Sequence, residues 1–193
     1  MSVADGSDKR VPPDVPALLR LLKAHSVEFV LTGSMAVEAW GADVGVPGDL
    51  DIVPAKNQRN LTRLTEVLNA TEGSAWPLTG QWDIESSGEA LWVEYDANDP
   101  RRGSRLPPPN PDDLSTLDSL FSTVHGELDI VPLISGSYDE FAGRATALSE
   151  CGVGNTDVMS IGDLLVHLIV PRRKKEAGRV AVLRGKPRES RRS

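Results

Sequence analysis

Cysteine is almost absent from this chain. One residue, Cys151, in 193 excludes an intrachain disulfide and points to a reducing compartment, the cytoplasm. Histidine is nearly as scarce. His25, His125 and His167 are scattered, which argues against a zinc site built from imidazole and thiolate. No apolar run approaches the roughly 20 residues that cross a bilayer, so no membrane partner is expected. The polar, Pro-rich first sixteen residues read as neither signal peptide nor anchor. The remainder, 39% hydrophobic and 25% charged, has the composition of an ordinary globular protein of one domain, or one domain with a small appendage.

Positive charge is lacking from most of the chain and concentrated at one end. The net charge is −7. From Pro171 onward ten Lys and Arg face only Glu176 and Glu189, a net +8, whereas the first 170 residues carry 11 basic and 26 acidic side chains. A basic end on an acidic body suits phosphate or nucleic acid, and equally suits a solvated tail.

Apolar periodicity predicts an alternation of helices and strands. Residues 1–12 read as disordered. Pro13–His25 reads as a helix capped by Asp14, with Pro16 in its first turn. Val27–Leu31 and Leu50–Val53 read as strands, with a short helix, Met35–Trp40, between them. Lys56–Ala70 repeats apolar residues at helical spacing. Residues 71–111, which hold Trp76, Trp82, Trp92 and Tyr95, are poorly patterned apart from a strand at Ala90–Tyr95. Pro107, Pro108 and Pro109 force a loop. Leu114–Leu120 reads as a short helix, and Ser122–Val124 and Glu127–Leu133 as paired strands around His125 and Gly126. Tyr138–Ser149 reads as a helix and Thr156–Met159 as a strand. A further helix, Ser160–Ile169, is capped by Ser160 with Asp163, and another follows at Arg172–Arg184. These elements predict an α+β fold: a small mixed sheet with helices on one face and a C-terminal helical segment. The expected divisions are a disordered 1–12, a core over 13–160, a helical segment over 161–184 and a basic tail over 185–193.

The chemistry concentrates in two places. Thr32-Gly33-Ser34 stands between a strand and a helix, where backbone N–H groups and a hydroxyl suit a phosphate. Fifteen residues on, Asp49-Leu50-Asp51 places two carboxylates on one strand face, because side chains alternate while Leu50 and Ile52 turn to a core. Two carboxylates so close call for a cation between them, and oxygen ligands favour Mg²⁺ or Mn²⁺. A phosphate cradle beside a metal-binding pair is the apparatus of phosphoryl or nucleotidyl transfer.

The apolar-Gly-Ser signature followed by Asp-x-Asp resembles the polymerase-beta-type nucleotidyltransferase superfamily. That resemblance implies a third carboxylate on a later strand, for which Asp129 is the candidate and Glu127, on the same face, its competitor. It implies metals held by Asp49, Asp51 and Asp129, which are also the catalytic set, and an NTP, such as ATP, as substrate, with Gly33 and Ser34 binding the nucleotide. Gly126-Glu127-Leu128-Asp129, Gly136-Ser137-Tyr138, Ser160 to Leu165 and Arg173-x-Lys175-Glu176 are similar to small bacterial AbiEii-type and MenT-type toxins of toxin–antitoxin systems. This similarity implies Arg173 and Lys175 as nucleotide contacts, a tRNA 3′ end as acceptor and an antitoxin protein as partner. The alternative acceptors are an antibiotic or a protein side chain. Gly45 and Pro47 stand where that group often has Arg and Thr, and Leu168 where it often has Lys. These departures favour a further alternative, a nucleotide-binding module without turnover.

Overall fold

A computed structural model describes residues 12–43, 45–84, 90–132, 137–149, 155–167, 180–181 and 183–185, the side chains of 81–84, 90–92 and 167 excepted. Arg173, Lys175, Leu168, Gly136 and Cys151 lie outside the described residues, as do most of the expected 172–184 helix and the tail beyond 185. The side chains of Trp82, Trp92 and His167 lie outside them too.

The fold is α+β, with five helices and a mixed seven-stranded sheet among the described residues. Helix α1 spans Val15–Ala24 and begins where Asp14 accepts the Ala17 N–H at 3.0 Å. Strand β1, Phe29–Leu31, leads into α2, Gly33–Ala39, and then β2, Leu50–Pro54. Helix α3, Gln58–Ala70, is capped by the Asn57 side chain. Strand β3 is Ser74–Ala75, and β4 and β5, Gly80–Ile84 and Ala90–Glu94, pair with each other in a separate two-stranded sheet. Strands β6, Ser119–Thr123, and β7, Gly126–Ile130, form a hairpin. Helix α4, Tyr138–Ala142, is followed by β8, Thr146–Leu148, β9, Thr156–Val158, and α5, Ile161–His167. The large sheet runs β3-β6-β7-β2-β1-β9-β8.

Register divides the faces of the central strands. Leu50 pairs with Leu128 and Ile52 with Ile130 in a parallel ladder, and all four are fully buried. They join Leu18, Leu19 and Leu22 of α1 and Leu64, Val67 and Leu68 of α3 in the core. Each buried aliphatic of this size contributes roughly 1.5–3 kcal/mol. The residues between them on β2 and β7 necessarily face the other way.

Two expected helices are not helical along their length. Leu114–Leu120 is a single 3-10 turn, Leu114–Thr116, after which Ser119 enters β6. The Asp113 side chain accepts the Ser115 N–H and satisfies the turn, while β6 gains ladder partners on both sides, β3 and β7. Tyr138–Ser149 stops at Gly143, and Thr146–Leu148 pairs with β9 instead. The expected strand at Thr156–Met159 supplies that partner, so pairing between distant segments outweighs local helix propensity. Among the described residues no helix is long and apolar enough to cross a membrane.

Asn60 ties the edge of the core together. Fully buried, it accepts the Glu28 N–H at 2.7 Å and donates to the Glu28 and Ala55 carbonyls, each at 2.9 Å. Asn60→Leu keeps the volume and orphans the Glu28 N–H. The expected loss is about 2–4 kcal/mol, read as a lower denaturant midpoint with an unchanged slope.

Asp118, immediately before β6, is half-buried, and burial raises its carboxyl above the usual 3.8, with Lys56 offsetting part of the rise. A raised carboxyl means that the fold holds this proton more tightly than the unfolded chain does. The stabilising contribution is therefore present below the unfolded value and lost as pH rises through the folded one. Asp118→Asn is expected to raise Tm at neutral pH and leave it unchanged in acid, below the unfolded carboxyl range. A Tm series against pH checks both halves.

Candidate functional site

The end of β1 and the start of α2 are anchored from two sides. The Thr32 N–H donates to the Asp51 carbonyl at 3.0 Å, and the Met159 N–H to the Leu31 carbonyl at 2.9 Å. The Trp40 indole donates to the Met159 carbonyl at 2.9 Å, closing α2 against the corner between β9 and α5. Ser160 and Asp163 cap α5 as expected, and Arg144 grips the Asp163 carboxylate with two nitrogens, at 2.8 and 3.0 Å.

Thr32 is the N-cap of α2, but its side chain makes no capping bond. Its hydroxyl turns to the Met159 sulfur at 3.4 Å. Gly33 and Ser34 are therefore the first residues of the helix rather than a loop before it. Ser34 is only 7% exposed, and its hydroxyl has no hydrogen-bond partner among the described residues. A buried hydroxyl without a partner costs about 1–3 kcal/mol, which suits a position completed by a ligand.

Gly33 has φ +62°, and a Cβ built on it would lie 2.1 Å from Oδ2 of Asp51. The Asp51 carboxylate thus occupies the space that any side chain at position 33 would fill. Glycine is required here for both its dihedral and its missing Cβ.

Asp51 and Asp129 pair in register on neighbouring parallel strands, whose spacing is about 4.8 Å. Both are half-buried on the face opposite the Leu and Ile ladder. Asp49 stands one residue before β2 and is also half-buried. Glu127 has a different place. It is 1% exposed and accepts a hydrogen bond from the Trp76 indole, an engagement that sequence periodicity did not signal.

Among the described residues no group of three or more His, Cys, Asp or Glu side chains is gathered to hold a metal ion. The in-register carboxylate pair nevertheless fits Mg²⁺, which is held by one or two carboxylates with substrate phosphates and water rather than by an all-protein cage.

The fold is nucleotidyltransferase-like. The chain is similar to the antibiotic-resistance factor ANT(2″)-Ia, an aminoglycoside nucleotidyltransferase seen in a solution structure. The TM-score is 0.50 at 11% identity, over 88% of this chain and 80% of that one. No protein-family model matches the chain, and no curated protein matches it.

Proposed function

We propose that this protein is a nucleotidyltransferase that moves an NMP from an NTP to an acceptor hydroxyl. The observation that carries this reading is the in-register pairing of Asp51 with Asp129, with the Asp51 carboxylate packed against Gly33. The likeness in fold to a nucleotidyltransferase supports the same class of transfer.

In this reading Gly33 and the buried Ser34 hydroxyl hold the β- and γ-phosphates. The Asp51 and Asp129 pair would hold Mg²⁺ or Mn²⁺, with Asp49 the next carboxylate along the chain, and the metal would neutralise phosphate charge and acidify the acceptor hydroxyl. The acceptor oxygen forms a bond to the α-phosphorus, and the bond from that phosphorus to the β-phosphate oxygen breaks. Pyrophosphate leaves with the electron pair. The hydroxyl proton passes to the Asp129 carboxylate and on to solvent. Arg173 and Lys175 are nucleotide contacts in the same reading.

The test is pyrophosphate release with each NTP and Mg²⁺, alongside binding of a fluorescent ATP analogue. Metal-dependent binding with no release for any acceptor would favour the binding module suggested by Gly45, Pro47 and Leu168. Neither binding nor release would sink the reading. An RNA 3′ end such as tRNA, with an antitoxin partner, is the second reading, favoured by the +8 end of the chain. If that end grips RNA, deleting Gly185–Ser193 weakens tRNA binding and flattens a log–log salt slope that is near −3 for about four single-strand phosphates. An unchanged slope removes RNA as acceptor.

A further inference from the structure

A cavity of about 340 Å³ opens on the carboxylate face, between β7 and the sheet edge at β3. Register places it. Ser74 of β3 pairs with Ser122 of β6, and Ser122 pairs with Glu127 of β7. The adjacent row on this face is Leu120, Asp129 and Asp51. The cavity therefore begins two residues along β7 from Asp129, about 7 Å. It lies on the side of the carboxylates away from β1 and Gly33.

We propose that this cavity is the acceptor subsite, and that it takes a small hydroxylated amine rather than a nucleic-acid end. The inference rests on the nucleotidyltransferase reading. In-line displacement needs the attacking hydroxyl opposite the leaving pyrophosphate. With the β- and γ-phosphates at Gly33 and Ser34, on the β1 side, the hydroxyl must arrive from the β7 side, where the cavity lies.

The lining names the chemistry. Glu72 stands exposed at the rim and Glu127 is buried in the wall, against one guanidinium, Arg105. Arg105 Nη1 donates to Ser74 Oγ at 2.9 Å and to the Ala75 carbonyl at 3.0 Å. The carboxylates outnumber the guanidinium beside an already acidic face, which repels a polyanion and attracts an ammonium group. Trp76, its N–H held by Glu127, offers an indole to a cation or a ring. Ser74 and Ser122 suit hydroxyls. The volume falls in the lower part of the range of about 300–1,000 Å³ typical of small-ligand pockets and has no room for several nucleotides.

The test titrates the full chain, with Mg²⁺, with glucosamine and its dimer, with glucose as the neutral control, and with total tRNA. Glucosamine or its dimer is expected to bind saturably, to accelerate pyrophosphate release from ATP, and to bind about 10-fold better than the neutral sugar, the worth of one ion contact. Ser122→Trp fills the cavity and abolishes sugar binding while affinity for Mg²⁺–ATP is retained. Glu72→Lys, an exposed change that leaves the core alone, weakens the aminated sugar about 10-fold and leaves glucose unchanged. Absence of saturable binding at millimolar concentration overturns the proposal, and so does sugar binding indifferent to both variants. Acceleration by tRNA alone that survives both variants also overturns it, in favour of an RNA acceptor. Sugar binding without any metal-dependent ATP binding would instead sink the transferase reading, and the acceptor role with it.

Discussion

Asp51→Asn is expected to lower turnover by at least about 10²-fold, close to 3 kcal/mol of transition-state stabilisation. The substitution keeps the shape of the side chain and removes one negative charge from the pair that Asp51 forms with Asp129 on the neighbouring strand. The stability readout separates this from damage to the fold. Like charges placed side by side across a sheet destabilise it, so Tm without metal should stay equal or rise. Asp129→Asn should behave in the same way. The double variant should cost little more than the worse single one, because residues that hold one ligand act as a unit. Pyrophosphate release at saturating Mg²⁺ with each NTP is the measurement, and unchanged turnover in Asp51→Asn would refute the role.

Gly33→Ala should be as damaging to activity and far more damaging to stability. A methyl group at position 33 meets Asp51 Oδ2 at 2.1 Å, Cγ at 2.2 Å and Oδ1 at 2.7 Å, so the whole carboxylate must move. Displacement of a positioned group by about 1 Å is enough to cost about 10²-fold in rate. The φ of +62° adds about 1–2 kcal/mol for a residue with a Cβ, and crowding at the carboxylate about 1–3 kcal/mol more. Gly45→Ala is the matched control. Its φ is +69°, but nothing lies within 4 Å of a Cβ there. It should carry the dihedral penalty alone and leave turnover intact. Thermal melts and pyrophosphate release on both variants check the pair. Equal behaviour of the two would show that the contact between Gly33 and Asp51 has no part in activity.

Local pattern was sufficient wherever an element carries its own signal. Asp14, Pro16 and the leucines of α1 specify a capped amphipathic helix by themselves. Leu61, Leu64, Val67 and Leu68 do the same for α3. Alternation around Asp51 and around Asp129 fixed which face each carboxylate takes, since a strand has only two faces. The pattern failed where the deciding partner is far away. Thr146–Leu148 carries helical residues, yet the edge of β9 was open to it. Ser74–Ala75 is too short to register as periodic, yet it closes the sheet edge beside β6. Ser119 and Leu120 were drawn out of the expected helix into β6 for the same reason.

The site divides along the same line. The sequence by itself determined which residue types stand where: a glycine and a serine at a strand-to-helix turn, an aspartate between apolar neighbours on one strand with another just before it, and a further aspartate on a later strand. Only the tertiary structure decided that Asp51 and Asp129 are direct neighbours, because a parallel pairing between β2 and β7 spans a connection whose register no local pattern encodes. Only the fold placed the Asp51 carboxylate where a Cβ of residue 33 would be. It also buried Glu127 under the Trp76 indole, about fifty residues away in the chain. Side-chain type and alternation are local properties. Strand order and close approach come from the packing of segments distant in sequence, and here that packing put a three-strand cavity beside the carboxylates.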